Sequence, residues 1–178
     1  MTSPEGRTKD QNYWTILSNA IELDIKKGHT KWTLSDLSRK SDITRSLIYY
    51  YFGKEKQIIL KEAITLIGEE LIGLTPERIK LWKEGRLAES LKKARVLYEK
   101  APYLPLFILI NRDKQNMIGE ALRLMEDDFA KKIKNFYPNC SPHQINSIFI
   151  IYWGLAFSPV ICEESIQELT MLIQKNFA

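Results

Sequence analysis

Thr33 to Lys56 reads TLSDLSRKSDITRSLIYYYFGKEK. Leu34, Leu37, Ile43 and Ile48 are its spaced apolar positions, with the small Ser38 between them. This is the pattern two short helices need when they cross closely and each buries one side. A bulky side chain at Ser38, in the middle of the first helix, would push the pair apart. Asp42 falls where the chain must reverse, and Asp is among the few residues that tolerate the left-handed backbone such a turn demands. Thr44 follows as an N-cap for a second helix running to about Tyr51, its hydroxyl accepting from a free amide of the first turn. A cluster of tyrosines, Tyr49, Tyr50 and Tyr51, closes the segment, followed by Lys54 and Lys56.

Charge is distributed unevenly around this segment. Residues 1–61 hold 11 Lys or Arg against 7 Asp or Glu, and the remaining residues hold 15 of each, so the formal excess of +4 lies in the first third. A basic head and an electrically balanced body is the footprint expected of a chain whose N-terminal part meets a polyanion; a basic excess alone is more often an ordinary solvated surface, and the helix pair with its tyrosines reverses that balance. The two cysteines, Cys140 and Cys162, have no metal-type spacing and suggest no disulfide framework, which points to a reducing, cytoplasmic setting. The N-terminus MTSPEGRTKDQN is polar and reads as no signal peptide. The apolar stretch Ile148 to Cys162 contains Ser158 and Pro159 and is short of the roughly 20 residues that span a membrane, so it is expected to be a buried helix.

The helix pair and its surroundings resemble the TetR (tetracycline-repressor-like) family of bacterial regulators. The matching positions are Thr33, Leu34, Leu37, Ser38, Ile43, Thr44, Ile48, Tyr49, Tyr51 and Phe52, with Ile16, Leu17, Ala20, Ile21 and Gly28 upstream, so the specific part covers about residues 10–60. Ser41 and Asp42 stand where the family usually has Ala and Gly, and Glu55 stands where it usually has a phosphate-contacting Lys. The resemblance implies an all-α fold. A three-helix DNA-binding head with a helix-turn-helix would occupy residues 1–53, and a helical effector-binding and dimerisation body residues 54–178. It further implies a homodimeric regulator, a repressor on a palindromic operator, released by a small-molecule effector whose binding changes the spacing of the two heads through the helix that follows the head.

Helical periodicity extends through the chain. Helices are expected over Thr8–Lys27, ended by Gly28; over about 34–51; and over Lys54–Ile72, a link from head to body with a stripe from Ile58 to Leu71. Gly73, Thr75 and Pro76 mark a break, with Thr75 capping a helix that ends near Gly85. Further helices are expected over Arg86–Lys100, Pro102–Lys114 and Met117–Tyr137, the last stopped by Pro138. The segment Ser141–Pro159 is apolar nearly all round, more than one chain usually covers, and the final helix carries Ile166, Leu169, Thr170, Ile173 and Phe177 at helical spacing. The resemblance assigns these two helices to a four-helix dimer interface, with Ile148, Tyr152, Leu155, Leu169 and Ile173 as candidates; the centre of a monomeric bundle is the alternative.

In the head, the second helix of the pair is the element to enter the major groove. Arg45 is the candidate for a bidentate contact to guanine, Ser46 and Tyr50 for other base edges, and Leu47 for a thymine methyl. Thr33, Thr44, Tyr49, Tyr51, Lys54 and Lys56 are candidates for phosphates, with Tyr51 open between phosphate and core. In the body, Trp82, Tyr98, Tyr103, Phe107, Phe149, Tyr152 and Trp153 are candidates to line a ligand cavity, and core packing is the competing role for each. His29 and His143 have no helical-spaced ligand companion and read as surface or cap residues, not metal ligands. No nucleophile elbow, phosphate loop or paired-carboxylate motif is present, so nothing supports an enzyme, and no cofactor is expected. A DNA-binding protein of the same fold without an inducer, acting through a protein partner, and a ligand carrier or enzyme that has lost DNA binding are the rival classes.

Overall fold

The computed structural model describes residues 7–68, 75–158 and 161–177. Among them the chain is entirely helical. In order, the helices are α1 (Lys9–Lys27), α2 (Leu34–Ser41), α3 (Arg45–Phe52), α4 (Lys56–Ile67) and α5 (Pro76–Lys83), then α6 (Leu87–Lys100), α7 (Leu104–Asn111), α8 (Met117–Phe136), α9 (Pro142–Phe157) and α10 (Glu163–Phe177). The far end of the expected Lys54–Ile72 helix, with Leu71, Ile72 and the break at Gly73, lies outside the described residues, as does Pro159. No described helix is long and apolar enough to cross a membrane.

Short-range signals set five of the described helix starts. Thr8 with Gln11, Thr33 with Asp36, and Ser141 with Gln144 form reciprocal capping boxes, while Thr44 and Thr75 accept from the amides of Leu47 and Arg78. Each satisfies amides that the helix cannot pair internally. Gly28 ends α1 at φ +82°, its amide donating to Asp24 O, and Asp42 ends α2 in the left-handed region at φ 55°, ψ 39°. α4 begins at Lys56 and not at Lys54, with the carbonyl of Glu55 accepting from Ile59 N.

The chain divides into two compact units. The first takes in the described residues to Leu66 together with Lys100–Leu122, and the second Ile67–Glu99 together with the described residues from Arg123. In the first, α1 packs on α2 and α7 and α2 packs on α3, around buried Ile16, Leu17, Trp32, Ile48, Phe52 and Phe107. This unit is larger than the expected 1–53 head, because α4 up to Leu66, α7 and the start of α8 are compact with it.

In the second unit the core is aromatic. Trp82 meets Phe136 at 5.1 Å and Tyr152 at 5.4 Å between ring centroids, and Phe129 meets Tyr152 at 5.2 Å. The buried guanidinium of Arg78 donates to Ser90 Oγ and Tyr152 Oη, and Trp82 Nε1 donates to the same Ser90. Four of the candidate interface residues belong to this core. Ile148, Tyr152, Leu155 and Ile173 are no more than 3% exposed within a single chain, so a second chain has no surface of theirs to cover, and Leu169 is only half-buried. The most exposed large apolar side chains on α9 and α10 are instead Ile150, Met171 and Leu172.

Candidate nucleic-acid interface

α2 and α3 owe their crossing to more than the small size of Ser38. Its hydroxyl donates to Ile43 O at 2.7 Å, while Ile43 N donates back to Ser38 O, so the reversal is bridged in both directions. Ser41, which stands where the TetR family usually has alanine, is buried, and its hydroxyl donates to Leu37 O. The Arg7 side chain donates to Ser41 O, a contact over 34 positions that no local pattern announces.

With Ile48 and Phe52 buried against this frame, α3 turns its other residues outward. Arg45 and Ser46 are exposed, Leu47 and Tyr49 are half-buried, and Tyr50 is 81% exposed. Arg45 Nη1 lies 3.3 Å from Ser35 Oγ and makes no ion pair among the described residues, so its charge is available at the surface. Lys54 is exposed, with its ammonium 5.7 Å from the Tyr49 ring centroid. Tyr51 lies edge-on to Tyr13, Tyr50 and Phe52 and is half-buried.

Two candidate phosphate contacts are otherwise engaged. Thr33 accepts from Asp36 N, and its hydroxyl proton goes to Asp36 Oδ2 at 2.9 Å, so its hydrogen-bonding capacity is committed to the capping box. Thr44 accepts from Leu47 N and retains its proton. Lys56 turns inward. Its Nζ donates to His29 O at 2.5 Å and Trp32 O at 2.8 Å and lies 4.9 Å from the Trp32 ring centroid. Of the two lysines beside Glu55, Lys54 is thus exposed and Lys56 is engaged within the head.

Several acidic groups of the head are neutralised by their own neighbours. Glu22 pairs with Lys26 and Lys40. Asp36 pairs with Lys27 at 3.1 Å; the Thr33 amide, then Lys27 and the Thr33 hydroxyl, hold its carboxyl down at about 2. Asp24, buried, accepts from Trp32 Nε1 and pairs with His29 Nδ1, each at 2.9 Å. His29 thus has a carboxylate companion five residues back, brought to it by the turn after Gly28. The only sequence signal for this cluster is Trp32 itself, a large aromatic in the polar run HTKWT.

The seven aromatic ligand candidates are divided between the units. Tyr103 and Phe107 belong to the first, where Phe107 is fully buried and Tyr103 lies under the ammonium of Lys26. Trp82, Tyr98, Phe149, Tyr152 and Trp153 belong to the second. Trp82 and Tyr152 fill the core, and Phe149 stacks on Trp153 at 5.5 Å. Core packing, the competing role, is what Trp82, Phe107 and Tyr152 perform.

A capped helix-turn-helix on a helical first unit, followed by a second helical unit, places the chain among all-helical helix-turn-helix proteins. Its fold is that of the TetR-family transcriptional regulators. A TetR-family regulator from Thermus thermophilus, PfmR, superposes with a TM-score of 0.62 over 94% of this chain and 96% of that one, at 17% identity. A TetR-family protein from Mesorhizobium loti gives 0.59 at 14% identity, over 96% and 97% of the two chains. A TetR/AcrR regulator from Thermobifida fusca gives 0.55 at 17%, over 93% and 98%. No family model matches the sequence, and neither does any curated protein.

Proposed function

We propose that this protein is a cytoplasmic, non-enzymatic transcriptional regulator that binds inverted-repeat operator DNA as a homodimer and acts as a repressor released by a small molecule. The observation that carries the reading is the outward face of α3: a Thr44-capped helix whose Ile48 and Phe52 are buried while Arg45, Ser46 and Tyr50 are exposed. A helix anchored on one side and polar on the other fits the major groove, where Arg45 reads a guanine, Ser46 and Tyr50 other base edges, and Leu47 a thymine methyl. Thr44, Tyr49, Tyr51 and Lys54 hold phosphates and set register. Residues 1–53 act as the reading head and 54–178 as the body. Subunits meet through the face of α9 and α10 that carries Ile150, Met171 and Leu172. On α10 the support for this choice is the exposure of Met171 and Leu172, which form an open, largely apolar patch with the stems of Glu168, Gln174 and Lys175. An effector would engage the half-buried rings of Tyr98, Phe149 and Trp153, which keep surface that Trp82 and Tyr152 lack.

Selection from a random duplex pool is the test. Inverted repeats should be recovered, with affinity falling steeply as salt rises. Arg45→Ala should cost about 1–3 kcal/mol of discrimination at one base pair, and Lys54→Ala should weaken all sequences and make the salt slope shallower. Recovery of no motif, or of unpaired half-sites alone, overturns the reading. A regulator of the same fold without an inducer, acting through a protein partner, is the second reading. It is favoured by the way Trp82, Phe129, Phe136 and Tyr152 pack on one another.

A further inference from the structure

Lys56 stands one residue beyond the Glu55 that replaces the family's phosphate-binding Lys, and it is the first residue of α4. An ammonium has three donors. Two are taken by the carbonyls of His29 and Trp32, on the turn between α1 and α2, and the third side of the cation faces the Trp32 indole. Trp32 is itself 1% exposed and fixed through Nε1 to the buried Asp24, which also holds His29. Lys56 therefore docks into a rigid, polar seat. Further along α4, Ile59, Leu60, Ala63 and Ile64 are buried, and Gln57 and Leu60 also border a hollow of about 90 Å³ shared with Asp24 and His29. Apolar packing therefore holds the body of α4, while the Lys56 bridge ties its first residue to the α1–α2 turn and so bears on the direction in which α4 leaves it.

We infer that Lys56 is a positioning residue for operator recognition, a clasp that sets the exit direction of α4 from the head and makes no contact with DNA. The inference rests on the DNA-binding, homodimeric reading above. A phosphate contact and a clasp separate by their electrostatics. A phosphate contact releases counterions and so contributes to the salt slope, whereas a clasp does not. They also separate by geometry, because a clasp matters when two heads must match two half-sites at once and matters little for one.

The experiment uses the full chain and three variants: Lys56→Met, which keeps the stem and drops the donors; Lys56→Arg, which can donate to two carbonyls and stack on an indole; and Lys54→Ala. Nitrogen-15 spectra come first. In the wild type one lysine ammonium signal should persist because its protons are held by protein acceptors, surviving Lys54→Ala and vanishing with Lys56→Met, where the Trp32 indole signal should also move. In binding, Lys56→Met should lose about tenfold on the inverted repeat, stay within about twofold on a single half-site, and keep the wild-type salt slope, while Lys56→Arg recovers most of the loss. A salt slope made shallower by Lys56→Met to the same extent as by Lys54→Ala places Lys56 on a phosphate and overturns the inference. Equal losses on half-site and inverted repeat, or no protected ammonium signal in the wild type, overturn it as well. If Lys56→Met does not fold, Lys56→Arg decides, since failure of a folded Lys56→Arg to hold inverted-repeat affinity with an unchanged salt slope refutes the clasp. Wild-type protein that binds no duplex defeats the proposed function and the positioning role with it, and the ammonium signal then reports separately whether the clasp exists.

Discussion

Ile150→Glu should split the dimer while leaving the chain folded. Ile150, Met171 and Leu172 are 58%, 57% and 49% exposed in a single chain. Burying such a side chain fully is worth about 1.5–3 kcal/mol, so a partner that completes the burial gains about 1 kcal/mol from each. A two-fold interface uses every position twice, which makes about 6 kcal/mol from these three residues. Glu at position 150 forfeits about 1 kcal/mol per copy and adds roughly 1–3 kcal/mol for a carboxylate left without a partner. Over two copies the loss is about 4–8 kcal/mol, a rise of a thousandfold or more in the dissociation constant. Position 150 is preferable to 172 for this test, because Asn146, Ser147 and Gly154, a turn away, carry no charge, whereas Lys175 lies three residues from Leu172 and could pair with a new carboxylate. Being largely exposed, the site should change the stability of the single chain by no more than about 0.5 kcal/mol. Sedimentation velocity beside circular dichroism reads both quantities. Ile148→Asp is the contrast: at 0% exposure it places a charge in the core and should unfold the chain. A helical Ile150→Glu that sediments as a dimer with the wild-type dissociation constant refutes the assignment of this face, and a wild-type monomer at micromolar concentration refutes dimerisation itself.

Asp42 holds a left-handed backbone, so Asp42→Val should lower stability by about 1–2 kcal/mol, as read from denaturant midpoints, while Asp42→Gly should hold or slightly raise it; equal midpoints for Val and Gly would show that the turn relaxes. Asp36 ionises at about 2 in the folded chain against an ordinary 3.8. Its capping box thus contributes stability that is present above pH 3.8 and lost as the pH falls toward 2. Asp36→Asn should remove that part of the acid sensitivity, and a carboxyl titrating at its ordinary value by NMR would contradict the capping geometry.

What the sequence determined by itself was local. Thr8, Thr33, Thr44, Thr75 and Ser141 each cap a helix through an amide three residues on, Gly28 and Asp42 end two helices through their own backbone, and an amphipathic pair with a small residue at its crossing settles the helix-turn-helix. Interactions over three or four residues are fixed by chain geometry, so they can be read without knowing the rest of the fold. Only the tertiary structure decided the non-local questions. On α9, apolar on nearly every side, periodicity distinguishes no inward face, and the packing of the second unit chose Ile148, Tyr152 and Leu155 as core and left Ile150 outside. Lys54 and Lys56 are alike as letters, yet one stays at the surface and the other folds onto Trp32, because the carbonyls that hold it come from residues more than twenty positions away. A long cationic side chain goes to whichever acceptors are in reach, and which acceptors those are is set by how the helices pack.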